Sequence, residues 1–161
     1  MRNVVKVCLA MTLSAMMLAS GAMAAQDTSK KVSKAELQRL YQAYLKEEGY
    51  KPVIDGDGDV GFKREGNNYF ISVTEDDPEF FSVVLPNIWP IESDKERAQV
   101  LAAADASNAK SKVTKVFIVK DDVWVAVELF VKRPEDFKGV FDRAMSALDN
   151  GTDNFVAKMR D

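Results

Sequence analysis

Few side chains in this sequence could carry out chemistry. There is no histidine, and the single cysteine, Cys8, lies in an apolar stretch near the N-terminus. Thiol nucleophiles, serine–histidine–aspartate triads and zinc sites of the usual cysteine and histidine type are therefore excluded from the rest of the chain. Carboxylates, lysines, tyrosines and hydroxyls remain, and each pattern they form has to be weighed against a structural explanation.

Three aspartates, Asp55, Asp57 and Asp59, have the spacing that opens a calcium-binding loop. An EF-hand loop also needs glycine at its sixth position and glutamate at its twelfth, where this chain has Val60 and Gly66. We interpret DGDGD as an acidic hairpin turn and predict no metal-binding residue. Weak binding of a divalent ion at the tip of the turn stays open.

Two other patterns suggest catalysis only at first sight. Ser107 and Lys110 match the S-x-x-K motif of penicillin-binding proteins, but neither S-D-N nor K-T-G occurs in the chain. The carboxylates at 75–77 and 121–122 are interpreted as solvated turns, because nothing holds a pair of them at a set distance. We predict no catalytic or cofactor-binding residue and no enzyme activity.

The N-terminus has the pattern of a secretory signal peptide. Arg2 and Lys6 precede an apolar run, and residues 22–24 supply an A-x-A cleavage site. We expect residues 1–24 to be the signal peptide, with cleavage after Ala24 and no stable insertion in a membrane afterwards. The mature protein is then expected in the periplasm or secreted.

The mature chain is expected to hold a flexible leader, residues 25–32, and one domain, residues 33–161. The full chain has 22 basic and 25 acidic residues, a net charge of −3. Removing Arg2 and Lys6 leaves 20 basic residues, and 20 − 25 gives −5. An acidic chain without a basic run is not expected to bind nucleic acid.

Helical and strand patterns alternate in a way that predicts an α+β fold, α-β-β-β-α-β-β-α, with helices packed against an antiparallel sheet. Prolines 86 and 90 are expected to end the sheet edge and to exclude a central strand there. Asn150-Gly151 is expected to end the third helix. The predicted helices are 34–48, 94–109 and a third that begins at Pro134; the predicted strands are 53–54, 60–63, 69–73, 79–85, 115–119 and 123–131.

Aromatic residues on the strands are the better indication of function. Strand alternation sends the neighbours Phe80 and Phe81 to opposite faces, so one of them can lie outside the main core. An apolar groove or dimer face is one interpretation, and coverage by helices is the other. The second helix adds a smooth alanine-rich side that suits packing or self-association. The candidate partner-binding residues are Phe81, Trp89, Val100, Leu101, Ala104 and Trp124.

Ordered motifs over residues 37–148 resemble the YbjN family, whose members are described as bacterial sensory-transduction regulators. They are GDV-F, the turn DDPEFF, the alanine-rich helix ending at Asn108, and the helix start PEDF. The resemblance implies the fold of type III secretion chaperones, which are commonly dimeric and bind polypeptide, and it implies no enzyme activity. Those chaperones work in the cytosol, whereas this chain has an export signal.

The expected function is a non-enzymatic periplasmic or secreted module that regulates or binds a peptide or protein in a chaperone-like way. Its expected partners are a second copy of the chain, giving a homodimer, and an unidentified polypeptide. The alternative is a sensor of a small apolar ligand or a stress-related binding protein.

Overall fold

The computed structural model describes residues 32–161, so the predicted signal peptide and all but the last residue of the predicted leader lie outside the described residues. Three α-helices, one short 3-10 helix and six strands follow in chain order. They are α1 (Lys34–Glu47), β1 (Val53–Ile54), β2 (Val60–Arg64), β3 (Asn67–Ile71), β4 (Phe80–Pro90), α2 (Asp94–Lys110), β5 (Thr114–Val119), β6 (Asp122–Phe130), the 3-10 helix (Pro134–Gly139) and α3 (Phe141–Arg160).

All six strands form one sheet in the order β1-β2-β3-β4-β6-β5. Every neighbouring pair is antiparallel. The predicted α+β class and the order of elements are thereby confirmed, and the predicted short strand at 53–54 is present as β1 at the edge of the sheet. No helix within residues 32–161 is both long and apolar enough to span a bilayer.

Local sequence signals explain where these elements begin and turn. The Ser33 hydroxyl accepts a hydrogen bond from the backbone N–H of Glu36, whose side chain reaches back to Ser33 and completes a capping box for α1. Ser93 accepts from the N–H of Glu96 in the same way at the start of α2. The β2–β3 turn uses Glu65 and Gly66 at φ 51° and 88°, the left-handed conformation that a two-residue hairpin requires.

The helices pack on one face of the sheet and form the core with it. α3 lies against β4, β5 and β6 and against α2, while α1 contacts β2 and the 3-10 helix. Aromatic rings fill the centre, since Phe81 of β4 lies 5.4 Å from Phe137 and 6.3 Å from Tyr41 between ring centroids. The largest fully buried side chains are Tyr41, Phe81, Phe137, Phe141, Phe155, Leu37 and Leu45.

β4 continues through both prolines, so the prediction that residues 86–90 end the sheet was wrong. Pairing with β3 stops at Val84, and beyond it β4 pairs with β6 alone. Pro86 therefore occupies a stretch of a central strand that has a neighbour on one side only, where a missing N–H is tolerated. The register between β4 and β6 shifts between Leu85 and Trp89, at a bulge in which Asn87 has φ 55°.

α3 continues through Asn150-Gly151 to Arg160, so the predicted end of the third helix was also wrong. The apolar stripe of the helix goes on to Phe155 and Met159, both of which are buried. Gly151 lies where α3 comes close to β5: an added β-carbon would overlap the Cγ2 of Thr114. Gly151 therefore allows α3 and β5 to come close together and does not end the helix.

Candidate functional site

The face of the sheet opposite the helices, which we call the open face, carries a set of exposed and half-buried aromatic side chains. Alternation places Phe80 on this face because its neighbour Phe81 points into the core. Register extends the set across the sheet, since Phe80 pairs with Phe130 and Phe117 pairs with Trp124. The aromatic surface, as we name it, consists of Phe70, Phe80, Phe117, Trp124 and Phe130.

Ring contacts divide the aromatic surface into two groups. Trp124 is at the centre of the first group, with ring centroids 5.8 Å from Phe70 and 6.3 Å from Phe117. Phe80 and Phe130 form the second group at 5.7 Å. Phe130 is 76% exposed, which makes it the most exposed large apolar side chain among the described residues. Exposed and half-buried aromatic side chains grouped in this way on one face are typical of a binding surface.

The bulge in β4 holds the central tryptophan in place. Asn87, at the bulge, accepts a hydrogen bond from the indole Nε1–H of Trp124 over 3.0 Å. The indole has its polar atom satisfied within the protein, so its ring can be covered by an apolar partner without leaving a donor unpaired. The irregular stretch around Pro86 therefore contributes directly to the geometry of the aromatic surface.

The charges on the open face largely cancel. Lys115 and Glu128 form an ion pair of 2.6 Å between neighbouring strands. The same ammonium group lies 4.8 Å from the centre of the Phe117 ring, which is a cation–π contact. Lys63 stands on β2 without an ion pair to any residue in 32–161. The arrangement suits an apolar ligand with few charges of its own.

A cavity of about 570 Å³ opens beside the aromatic surface and shares Phe70 with it. Its wall includes β1, β2 and the loop after α1, and most of the lining is apolar. Pockets that bind small ligands are commonly ~300–1,000 Å³. The lining residues are Gly49, Tyr50, Lys51, Val53, Asp55, Gly61, Phe62, Lys63, Asn68, Tyr69, Phe70 and Pro86.

Three of the predicted partner-binding residues lie in the core. Phe81 and Val100 have no exposed surface, and Ala104 is 6% exposed. Their burial leaves them no surface to offer a partner in this conformation. Of the pair on β4, Phe80 is the one that reaches the open face.

Trp89 is half-buried and stabilises the start of α2. Its ring lies 6.2 Å from that of Phe155, and its Nε1–H donates to Oε1 of Glu96 over 2.9 Å. The other oxygen of Glu96 accepts from the backbone N–H of Glu92 over 2.7 Å. Both hydrogen bonds hold the pKa of the Glu96 carboxyl below its ordinary value, and the one from the Glu92 backbone has the larger effect.

Leu101 and Trp124 are the predicted residues that lie at a surface, though at different ones. Leu101 is 57% exposed on α2, whereas Trp124 belongs to the aromatic surface on the open face. The predicted set therefore does not converge on one site. Phe70, Phe80, Phe117 and Phe130 were absent from it, although their alternation with the apolar core positions of the same strands was a signal that could have found them.

The polar motifs have structural roles. Oδ1 of Asp55 accepts hydrogen bonds of 2.9–3.0 Å from the N–H groups of Asp57, Gly58 and Asp59, which closes the DGDGD turn. Within residues 32–161, no group of three acidic side chains is placed to hold a metal ion. Ser107 is buried and donates to the carbonyl of Gly151 over 2.8 Å, so its hydroxyl joins α2 to α3.

Comparison with known proteins agrees with this architecture. A family model described as "T3SS (YopN, CesT) and YbjN peptide-binding chaperone 1" matches residues 35–160. Comparisons with curated proteins and with solved structures gave no significant match. The match confirms the resemblance to YbjN proteins and supports a chaperone-like binding role for the chain. The chain belongs to this family of peptide-binding chaperones of the type III secretion and YbjN type.

Proposed function

We propose that this protein is an exported, non-enzymatic, chaperone-like module that binds extended apolar segments of polypeptides on its open face. The observation that carries the proposal is the aromatic surface, whose rings are left available by the helices of the described chain. Membership of a peptide-binding chaperone family supports a polypeptide as the partner. Aromatic rings suit this role because each buries a large apolar area when a partner covers it.

The edges of the sheet support binding through the face over binding by strand addition. β5 is an edge strand, and the side-chain amide of Asn108 occupies its middle. Nδ2 of Asn108 donates to the Val116 carbonyl over 3.1 Å, and its Oδ1 accepts from the Val116 N–H over 2.8 Å. β1, at the other edge, has two residues. An added strand would meet an occupied position in the middle of β5 and only two residues on β1.

Self-association is proposed to use the exposed side of α2. Leu101 is an exposed leucine on this helix, and the small exposed residues Ala98 and Ala102 beside it allow a second helix to come close. A dimer formed there would leave the open face accessible. The surface on α2 and the aromatic surface are therefore separable by mutation.

Two single variants provide the test. Phe130→Ser should weaken the binding of a labelled apolar peptide in fluorescence anisotropy and leave the oligomeric mass unchanged in native mass spectrometry. Leu101→Ser should shift the mass from two chains towards one and leave peptide affinity unchanged. Both residues are exposed, so neither change should unfold the protein. Peptide affinity that is insensitive to Phe130→Ser would contradict the proposal for the open face.

Export is proposed from the N-terminal pattern of charge, apolar run and A-x-A site. The mature protein, recovered from the periplasm or medium of a Gram-negative host, should begin at Ala25. N-terminal sequencing checks this directly. Protein that stays in the cytosol with Arg2 and Lys6 still present would overturn the proposed location.

A second candidate function follows from the cavity beside the aromatic surface. Its volume of about 570 Å³ and its apolar lining, which includes Tyr50, Val53 and Phe70, suit a small apolar molecule. Native mass spectrometry of the purified protein distinguishes the two candidates. A retained small mass that is lost in Val53→Asp would favour the small ligand, and a retained polypeptide would favour the chaperone-like role.

A further inference from the structure

A second concave site lies at the far end of the sheet, between the start of α3 and the end of β6. We call it the α3–β6 groove. Its volume is about 270 Å³, and its floor is aliphatic, formed by Leu129, Val140 and two alanines of α3. Leu129 points to the opposite face from its neighbour Phe130, so the groove is separate from the aromatic surface.

The two charged side chains that line the groove are both cations. Lys112 enters from the loop after α2, and Arg143 comes from the first turn of α3. Neither forms an ion pair with any residue in 32–161, and no carboxylate lines the groove. Arg64 and Arg133, by contrast, are each paired with an aspartate at 2.8–2.9 Å.

The rim of the groove holds an apolar residue in an unfavourable backbone conformation. Val113 has φ 55° and its side chain is 57% exposed. The left-handed region is disfavoured for a β-branched residue, and an exposed valine regains little of that free energy by burial. An apolar ligand that covers Val113 would explain why a valine occupies this position.

We infer that the α3–β6 groove binds a polypeptide segment in which an aliphatic side chain lies next to a carboxylate. The aliphatic floor takes the side chain, and Lys112 and Arg143 take the carboxylate. The protein should then prefer acidic segments to basic ones. The inference rests on the proposed function in one respect, that the ligand is a polypeptide.

Because the whole chain is acidic, its overall charge does not explain a preference for acidic peptides. With a net charge of −3 for the full chain and −5 for the expected mature chain, the protein as a whole repels acidic peptides weakly. A preference for an acidic peptide therefore has to come from cations close to the bound peptide, and the variants below test whether Lys112 and Arg143 are those cations. Because the groove is exposed to solvent, the preference should shrink as salt is added.

The test uses two labelled peptides with the same apolar core, one flanked by Asp and Glu and the other by Lys. Affinities are measured by fluorescence anisotropy on the full mature chain at low and high salt. The test variant is Lys112→Glu/Arg143→Glu. The matched control, Arg39→Glu/Lys95→Glu, changes one exposed arginine and one exposed lysine elsewhere and alters the net charge equally. Circular dichroism checks that both variants are folded.

The wild-type protein should bind the acidic peptide about 3–30-fold more tightly than the basic one at low salt, which corresponds to two exposed charge pairs. The groove variant should lose or reverse this ratio, and the control should keep it. Equal affinities in the wild type, or an equal loss in the control, would overturn the inference while leaving the open face untouched. If neither peptide binds, the proposed function fails as well.

A competition experiment separates a polypeptide from a small carboxylate. N-acetylleucine, which carries one aliphatic side chain and one carboxylate, is titrated against the bound acidic peptide. Competition only at far higher concentration than the unlabelled peptide supports a polypeptide ligand. Displacement at the same concentration would show a site for small carboxylates and overturn the assignment to polypeptide.

Discussion

Gly151 should resist replacement by alanine although it lies inside a helix. Replacing an exposed glycine in a helix by alanine normally raises the free energy of unfolding by about 1 kcal/mol. At Gly151 the added β-carbon would overlap Cγ2 of Thr114 and lie 3.1 Å from its Cβ. These atoms belong to a short β-branched side chain on β5, so they cannot move aside as the end of a flexible side chain does.

The size of the effect follows from three contributions. Overpacking of a close contact costs about 1–3 kcal/mol. The Thr114 hydroxyl lies 3.1 Å from the carbonyls of both Ala147 and Lys112 and donates its one hydrogen bond there, and disturbing that bond costs about 1 kcal/mol. The higher helix propensity of alanine offsets about 1 kcal/mol of this loss of stability. Gly151→Ala should therefore lower the free energy of unfolding by about 1–3 kcal/mol and the Tm by about 4–12 °C.

Urea and thermal unfolding, followed by circular dichroism, measure this change. Gly139→Ala is the matched control, because nothing lies within 4 Å of the β-carbon it would add. Thr114→Ser removes Cγ2 and keeps the hydroxyl, so Gly151→Ala should cost at least about 1 kcal/mol less in that background. If Gly151→Ala stabilises the protein as alanine does in an exposed helix, the account of the α3–β5 contact is refuted.

Three further predictions follow from other sites. Val113→Gly should raise the free energy of unfolding by about 1 kcal/mol in urea titration, because it relieves a left-handed β-branched residue, while Val113→Ala should raise it less. Burial raises the pKa of Tyr41 to about 12, above its ordinary value near 10. The contribution of Tyr41 to stability should therefore be constant below pH ~10 and be lost as the pH rises from ~10 to 12, and Tyr41→Phe should lessen that loss in alkaline unfolding curves. Phe81→Ala should cost about 3–5 kcal/mol in urea titration, whereas Phe80→Ala, on the open face, should cost much less and weaken peptide binding in anisotropy. Similar losses of stability for both would contradict the assignment of the two faces.

Much of the fold was predictable because the signals were local. Ser33 and Ser93 sit three residues before a glutamate, and each begins a helix where that pattern indicates. Glu65 and Gly66 turn the chain between β2 and β3 as a tight hairpin demands. In each case the interacting atoms belong to residues a few positions apart, so the pattern is visible before any packing is known.

The binding surface was predictable in part only. Alternation required Phe80 and Phe81 to lie on opposite faces, and they do. Alternation is symmetric, however, and does not say which face the helices cover. The assembled chain decides on which side of the sheet α1 and the 3-10 helix pack, and the sequence pattern does not show this. The candidate set therefore included Phe81, which is buried.

The sequence was sufficient for most of the elements, their order and the fold class, and it excluded histidine chemistry from the chain and thiol chemistry from residues 32–161, because each depends on composition or on neighbours along the chain. The assembled structure was needed for three other features: β4 passing through Pro86, α3 passing through Gly151, and the face left open. Each is set by a residue distant in sequence, such as the Thr114 contact with Gly151 or the end of β3 pairing at Val84. A turn signal records a local preference, and packing against a distant neighbour can outweigh it.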